Sequence, residues 1–291
     1  MAEYSVTHTT RYSYSEKVSH CQNIGYLSPQ SDARQTCSPT EISVEPATVV
    51  LAEHTDYFGN RVCYFAVEEP HTELVVTGRT RVTTHAGADF RQQNAPAWES
   101  VADALRNPAD EQTLLASEFT LPSPFVPLSA TFADYARAVF TPGRNILEAA
   151  YDLACKVRED FKYEQKTTSI LTPLSEVFAR RTGVCQDFAH FCVSALRSLG
   201  LAAQYVSGYI ETFPPAGKEK LRGSDASHAW FAVYVPGSGW FDFDPTNAKA
   251  ISEEFIVTAR GRDFGDVSPL RGILFGGGKH VLKVEVDVNR L

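Results

Sequence analysis

Thr182-Gly183-Val184-Cys185-Gln186-Asp187-Phe188-Ala189-His190 reads as a glycine turn opening into a helix. Apolar residues at Phe188, Cys192, Ala195 and Leu199 follow at helical spacing, and Gly200 is placed to end the element. Cys185 therefore falls in the first turn, where free backbone N–H groups and the positive end of the helix dipole favour a thiolate. The same N–H groups suit an oxyanion, with that of Cys185 as the natural first donor. A free cysteine is more often a small buried apolar residue, so Cys185 alone decides nothing.

Two downstream segments reverse those odds. Ser227-His228-Ala229-Trp230 lies on a predicted strand, and Phe243-Asp244-Pro245-Thr246-Asn247 lies at the end of the next. Cys, His and Asp on separate elements are what thiol acyl transfer needs: a nucleophile, a proton shuttle and a carboxylate that fixes the imidazole tautomer. His228 taken alone is as readily a core histidine as a site residue. His190 is a rival, but five residues into the helix it points about 140° away from Cys185, which reads as packing. Asp242 and Asp244 share a strand face, and periodicity does not choose between them. Asp244 precedes a proline at a strand end, where a side chain can turn towards a site; Asp242 is expected to be a surface or neighbouring carboxylate. Asp187 is expected to stabilise the positive end of the cysteine helix.

The other cysteines carry less. Of six, Cys21, Cys37 and Cys63 lie in strand-rich sequence and are expected buried or half-buried. Cys155 shares an amphipathic pattern with Leu147, Ala150, Ala154 and Val157 and reads as core, and Cys192 faces inward two turns after Cys185. No CxxC pair exists, so neither zinc nor a thioredoxin-like centre is indicated. The segment Met1-Ala2-Glu3-Tyr4-Ser5-Val6-Thr7 has neither a basic stretch nor an apolar run of the signal-peptide kind, so reduced thiols in the cytoplasm are the expectation. With 27 Lys and Arg against 35 Asp and Glu, the chain carries a net charge of −8. There is no basic cluster beyond Arg180-Arg181, a presumed solvated helix end, so nucleic acid is not an expected partner. No stretch approaches the roughly 18 apolar residues of a membrane span.

At 291 residues and 43% hydrophobic, the chain is long enough for about two domains. Strand signals dominate up to Thr84: Tyr4 to Tyr14, Glu41 to Val44, Thr48 to Ala52, Arg61 to Val67 and Glu73 to Thr83, with a turn at Asp56-Tyr57-Phe58-Gly59-Asn60. His85 to Pro96 reads as a linker. Helical patterns follow at Trp98 to Leu105, Glu111 to Ser117, Ala130 to Phe140 and Asn145 to Phe161, and Thr172-Pro173 starts another. Strands return at Ala203 to Glu211, His228 to Val235, Trp240 to Phe243 and Val281 to Val288. The expectation is α+β: an all-β, sandwich-like domain over 1–90, then a catalytic domain over 91–291 with helices packed on an antiparallel sheet. The polar segment from Pro214 to Ser224 reads as a mobile rim controlling access. Gly276-Gly277-Gly278 reads as a turn, Arg262, Asp263 and Asp266 as an ion-pair cluster, and Trp230 and Trp240 as cleft or core aromatics.

Several of these segments, in order, resemble the bacterial transglutaminase-like superfamily. The resemblance rests on Thr172-Pro173-Leu174, Gly183 to His190, Leu199 to Tyr209, Ser227-His228-Ala229-Trp230, Asp244-Pro245-Thr246-Asn247 and Gly261 to Pro269. It extends forward to His8-Thr9-Thr10-Arg11-Tyr12 and Asp56 to Asn60. It implies a small N-terminal β-domain joined to a papain-like core, with Cys185, His228 and Asp244 as the catalytic residues. It also implies thioester chemistry on a peptide or amide substrate without a cofactor or metal. Hydrolysis is the first expectation, amine transfer the alternative, and a non-catalytic peptide-binding scaffold the third. Calcium dependence is not carried over, since no EF-hand-type acidic loop is present.

Overall fold

The computed structural model describes residues 1–87, 89–211 and 227–291, so the rim expected at 214–224 lies outside the described residues. The chain opens with six strands: β1 (Ala2–Ser28), β2 (Gln35–Cys37), β3 (Glu41–Glu45), β4 (Val50–Thr55), β5 (Arg61–Val67) and β6 (His71–Thr84). The strand read from Tyr4 to Tyr14 continues to Ser28, and β1 is the spine of the unit. Its first half pairs with β6, its second with β5, and the register shifts between Ser13 and Val18. Val18, Cys21 and Leu27 of β1 pack with Phe65 of β5 and Leu74 and Val76 of β6, so the two halves of the bent sheet share one core.

Helices come next: α1 (Trp98–Arg106), α2 (Glu111–Ser117), α3 (Ala130–Arg137) and α4 (Ile146–Asp160). Asn145 caps α4 by accepting from the Leu147 N–H at 2.9 Å, a local bond that frees no other geometry for the chain there. Two-residue β7 (Lys162–Tyr163) pairs in parallel with β8 (Thr182–Gly183), and α5 (Leu174–Arg180) lies between them with Pro173 as its cap. The expected solvated end at Arg180-Arg181 is half right. Arg180 pairs with exposed Glu176, whereas the Arg181 guanidinium sits over the rings of Phe178, Phe161 and Tyr135, at 3.7 Å from the first centroid.

α6 (Cys185–Ser198) is the centre of the second unit. Every residue from Asp187 to Arg197 is buried, so the helix is not amphipathic in the sense its spacing suggested; it is enclosed on all sides. Phe188 and Phe191 pack with Phe161 and Phe178. Arg197 is buried too, and its guanidinium donates to the carbonyls of Ala203, Leu121 and Arg262. Burial lowers it to about 10, and these carbonyls are what make the buried charge tolerable.

The second sheet follows: β9 (Ala203–Ile210), β10 (Ser227–Val235), β11 (Gly239–Asp244), β12 (Lys249–Ala250) and β13 (Phe255–Gly261). It is antiparallel throughout, in the order β12-β11-β10-β9-β13. β13 was not read in the sequence. After short α7 (Phe264–Val267), the chain ends in β14 (Leu270–Gly276) and β15 (His280–Arg290), joined by the expected glycine turn with positive φ at all three residues. These last strands do not stay with residues 91–291. Both pair with β1, β14 with its second half and β15 with Tyr4 to Tyr14, completing an eight-stranded first sheet.

The two units meet along β13. Its outer edge would expose backbone groups, but two side-chain amides cover them. Gln35 donates to the Val257 carbonyl at 2.8 Å and accepts from its N–H at 2.9 Å. Asn60 does the same at Arg260, with both bonds at 2.8 Å. Tyr4 and Val6 of β1 pack with Ile256, Tyr209, Val286 and Val288 in a dry contact.

Candidate active site

Cys185 is the first residue of α6, half-buried and not in a disulfide. Asp187 holds that helix start: its carboxylate accepts from the Val184 N–H at 2.9 Å and the Thr168 hydroxyl at 2.6 Å. The carboxylate leaves no space at residue 183, where a Cβ would meet the Asp187 side chain at 2.7 Å. The glycine in the motif therefore makes room for the carboxylate, and the expected stabilising role of Asp187 is local and structural.

His228 reaches the site from the start of β10. Its Nε2 lies 2.8 Å from Asp244 Oδ2, and the Cys185 thiol is near enough to act on the ring electrostatically. Burial disfavours the imidazolium, yet the bonds and charges of Asp244 and Cys185 outweigh it and raise His228 from 6.5 to about 10. Asp244 is fully buried at the end of β11. Burial pushes its pKa up, but His228, the Asn247 amide at 2.6 Å and the Thr246 N–H at 2.8 Å pull it below the usual carboxylate range. The turn that Pro245 begins folds Thr246 and Asn247 back onto the carboxylate, an Asx-type arrangement.

The structure thus brings Cys185, His228 and Asp244 together from three elements. His190 is elsewhere: buried, it accepts from the Phe264 N–H at 3.0 Å and stacks on Phe125, and burial lowers it to about 4. Cys192 is buried as expected, while Cys155 is only half-buried. Arg262 pairs with Asp266 through two 2.9 Å bonds, but Asp263 instead caps α7 and accepts from the Phe125 N–H. Trp240 of β11 packs on Phe119 and on Tyr234, and Tyr234 lies six residues along β10 from His228, or roughly 20 Å.

Asp242 differs most from expectation. It is buried, not a surface carboxylate, and accepts from Arg260 at 2.7 Å, Arg34 of the first unit at 3.3 Å and the Trp230 indole at 3.1 Å. The Trp230 ring lies beside His228, with centroids 6.0 Å apart. Gly208, opposite His228 in the register, leaves space for it, since a Cβ there would collide with Trp230 and the Ile256 carbonyl. Arg34 and Arg260 gave no sequence signal, because each becomes a partner only when strands far apart in the chain meet. Among the described residues, no group of three His, Cys, Asp or Glu side chains could hold a metal ion, and no helix is long and apolar enough to cross a membrane.

Two family descriptions match this architecture: a bacterial transglutaminase-like N-terminal region over residues 4–83, and the transglutaminase-like superfamily core over 133–245. The chain is also 39% identical, over 98% of its length and 92% of the relative's, to the uncharacterized protein Rv2569c of Mycobacterium tuberculosis. The chain belongs to the transglutaminase-like superfamily. A solved structure from Cytophaga hutchinsonii, described as a "Putative Cysteine Protease", superposes with a TM-score of 0.78 at 20% identity, over 100% of this chain and 91% of that one. This likeness shows that the two chains share a fold over the whole length of this one. A protein-glutamine gamma-glutamyltransferase of Pseudomonas aeruginosa is 35% identical over 71 residues, covering 24% of this chain and 11% of that protein.

Proposed function

We propose that the chain is a cysteine-dependent amide hydrolase that works through a thioester on Cys185. The observation that carries this reading is the His228 ring bonded to the Asp244 carboxylate at 2.8 Å, with the Cys185 thiol near enough to act on it. In this reading the Cys185 thiolate adds to an amide carbonyl carbon, and the oxyanion meets N–H groups of the first turn of α6, which a helix leaves without internal partners. The imidazolium of His228 protonates the amine as the C–N bond breaks. It then takes a proton from water, whose oxygen adds to the thioester and releases the acid and the Cys185 thiolate, restoring the starting thiolate–imidazolium pair. Asp244 keeps the ring oriented and favours its cationic form.

Amine transfer is the second reading, favoured by the local match to the Pseudomonas glutamyltransferase. It differs only in which nucleophile reaches the thioester. Incubating the chain with peptide and isopeptide libraries, with and without added amine, separates the two by product mass. Hydrolysis yields acids in both arms, whereas transfer yields amides only when amine is present. Labelling of Cys185 by a thiol-directed affinity probe tests the shared premise. Labelling that is equally fast in His228→Ala would sink both readings and favour a non-catalytic scaffold.

A further inference from the structure

The first unit supplies one wall of a cavity beside Cys185. The cavity, of about 230 Å³, is lined by Gln186 and Ser227, the chain neighbours of Cys185 and His228. The opposite wall comes from His8, Thr10 and Tyr12 of β1 and from Leu282 and Val284 of β15, and the α7–β14 connection closes one side. The register explains this wall. Val6 faces Val288 and His8 faces Val286 where the sheet is packed dry, and the same faces continue as Thr10 opposite Val284 and Tyr12 opposite Leu282. Val286 and Val288 are fully buried, but Val284 and Leu282 are 44% and 50% exposed, so an apolar stripe emerges from the core at the cavity.

Among the described residues, no Asp, Glu, Lys or Arg lines the cavity. Both titratable rings among its described lining residues are held neutral by burial: it raises Tyr12 and lowers His8 to about 4, and the His8 nitrogens are engaged by the Tyr209 hydroxyl at 2.8 Å and Thr10 at 3.1 Å. The volume falls below the roughly 300–1,000 Å³ of small-molecule sites and suits a single amino-acid side chain. Consecutive residues of an extended peptide advance by about 3.3–3.6 Å, so a residue flanking a carbonyl at Cys185 would present its side chain here.

Building on the thiol-hydrolase reading, we infer that this cavity is a selectivity pocket for an uncharged side chain flanking the scissile amide, and that β1 and β15 make the N-terminal unit part of substrate recognition. A charge entering it would lose water and find no charged partner among the described lining residues.

Two measurements on the full chain test this. The first is retention of blocked pentapeptides Ala-Ala-X-Ala-Ala, with X any residue, by the Cys185→Ala variant. The second is cleavage of the same library by the unaltered chain. Uncharged X should be favoured over Asp, Glu, Lys and Arg by roughly tenfold or more. Leu282→Lys, at a half-exposed position, should relieve the exclusion of Asp and Glu while iodoacetamide labelling of Cys185 keeps its rate. Equal retention of charged and uncharged peptides, no retention of any peptide, or indifference to Leu282→Lys would overturn the pocket. Selective retention without cleavage, and with labelling independent of His228, would uphold the pocket and reject the enzyme.

Discussion

Asp244 and Asp242 stand two residues apart on one strand, and their partners give them different work. In the proposed mechanism Cys185→Ala abolishes turnover, and His228→Ala leaves a thiol that reacts only with strong electrophiles. Asp244→Asn retains the fold and lowers kcat/KM by about 10²–10⁴-fold. Steady-state kinetics on the three variants and their combinations should show strongly non-additive losses. Asp242→Asn, by contrast, removes the counter-charge of Arg260 and Arg34. Loss of one partner of a buried pair costs about 3–5 kcal/mol, and both guanidiniums keep some contact with water, so the lower end is expected in urea melts. The sequence reading, which took Asp242 for an idle neighbour, missed this, because a strand's own periodicity does not say which arginines will face it. The reading of Asp244 draws on the proline that follows it at a strand end and on the resemblance of Asp244-Pro245-Thr246-Asn247 to the family. The His228–Asp244 pair also sets a pH signature. His228 is raised to about 10, so its contribution is complete below 6.5 and lost as pH rises towards 10; Asp244 is lowered, so its contribution is present above 3.8 and lost in more acid solution. The stability difference between the unaltered chain and His228→Ala should therefore peak between about pH 4 and 6.5. A difference that grows from pH 7 to 10 would contradict the raised imidazole.

At the scale of elements, the helices and several strands are legible because their signals are local: Asn145 before α4, Gly200 after α6, alternation in the first part of β1 and in β15. β13 is not. It is a short run, Phe255 to Gly261, that follows no turn pair of the hairpin kind and is fixed by β9 on one side and by Gln35 and Asn60 on the other. Those amides act as substitute strand partners, and their loss leaves buried backbone groups unpaired. Gln35→Ala and Asn60→Ala should each cost about 1–3 kcal/mol. Hydrogen exchange should quicken at the amides of Val257 and Arg260 respectively, each of which donates to the side chain removed. Protection there that survives both substitutions would mean the edge is covered by something other than these two side chains.

For the molecule as a whole, a boundary near residue 90 describes the order of the sequence better than the arrangement in space. Composition shifts there from strand to helix, but the chain returns to its first sheet after residue 270, and no window of sequence announces a partner some 270 residues away. A chain beginning at Trp98 should therefore aggregate rather than behave as a free core. β14 and β15 would lose the strand they pair with, and Ile256 and Tyr209 would lose their apolar cover. Sedimentation of that chain as a stable monomer with an unchanged melting temperature would show the units to be independent. The pairing of Tyr4 with Arg290 also has a temporal side. A ribosome adding about 5–20 residues per second takes roughly 15–60 s to travel between them. Throughout that interval β1 waits with one edge open, while the helix bearing Cys185 has already emerged. The nascent protein thus possesses its thiol well before it possesses Leu282 and Val284, the residues that wall the space beside it.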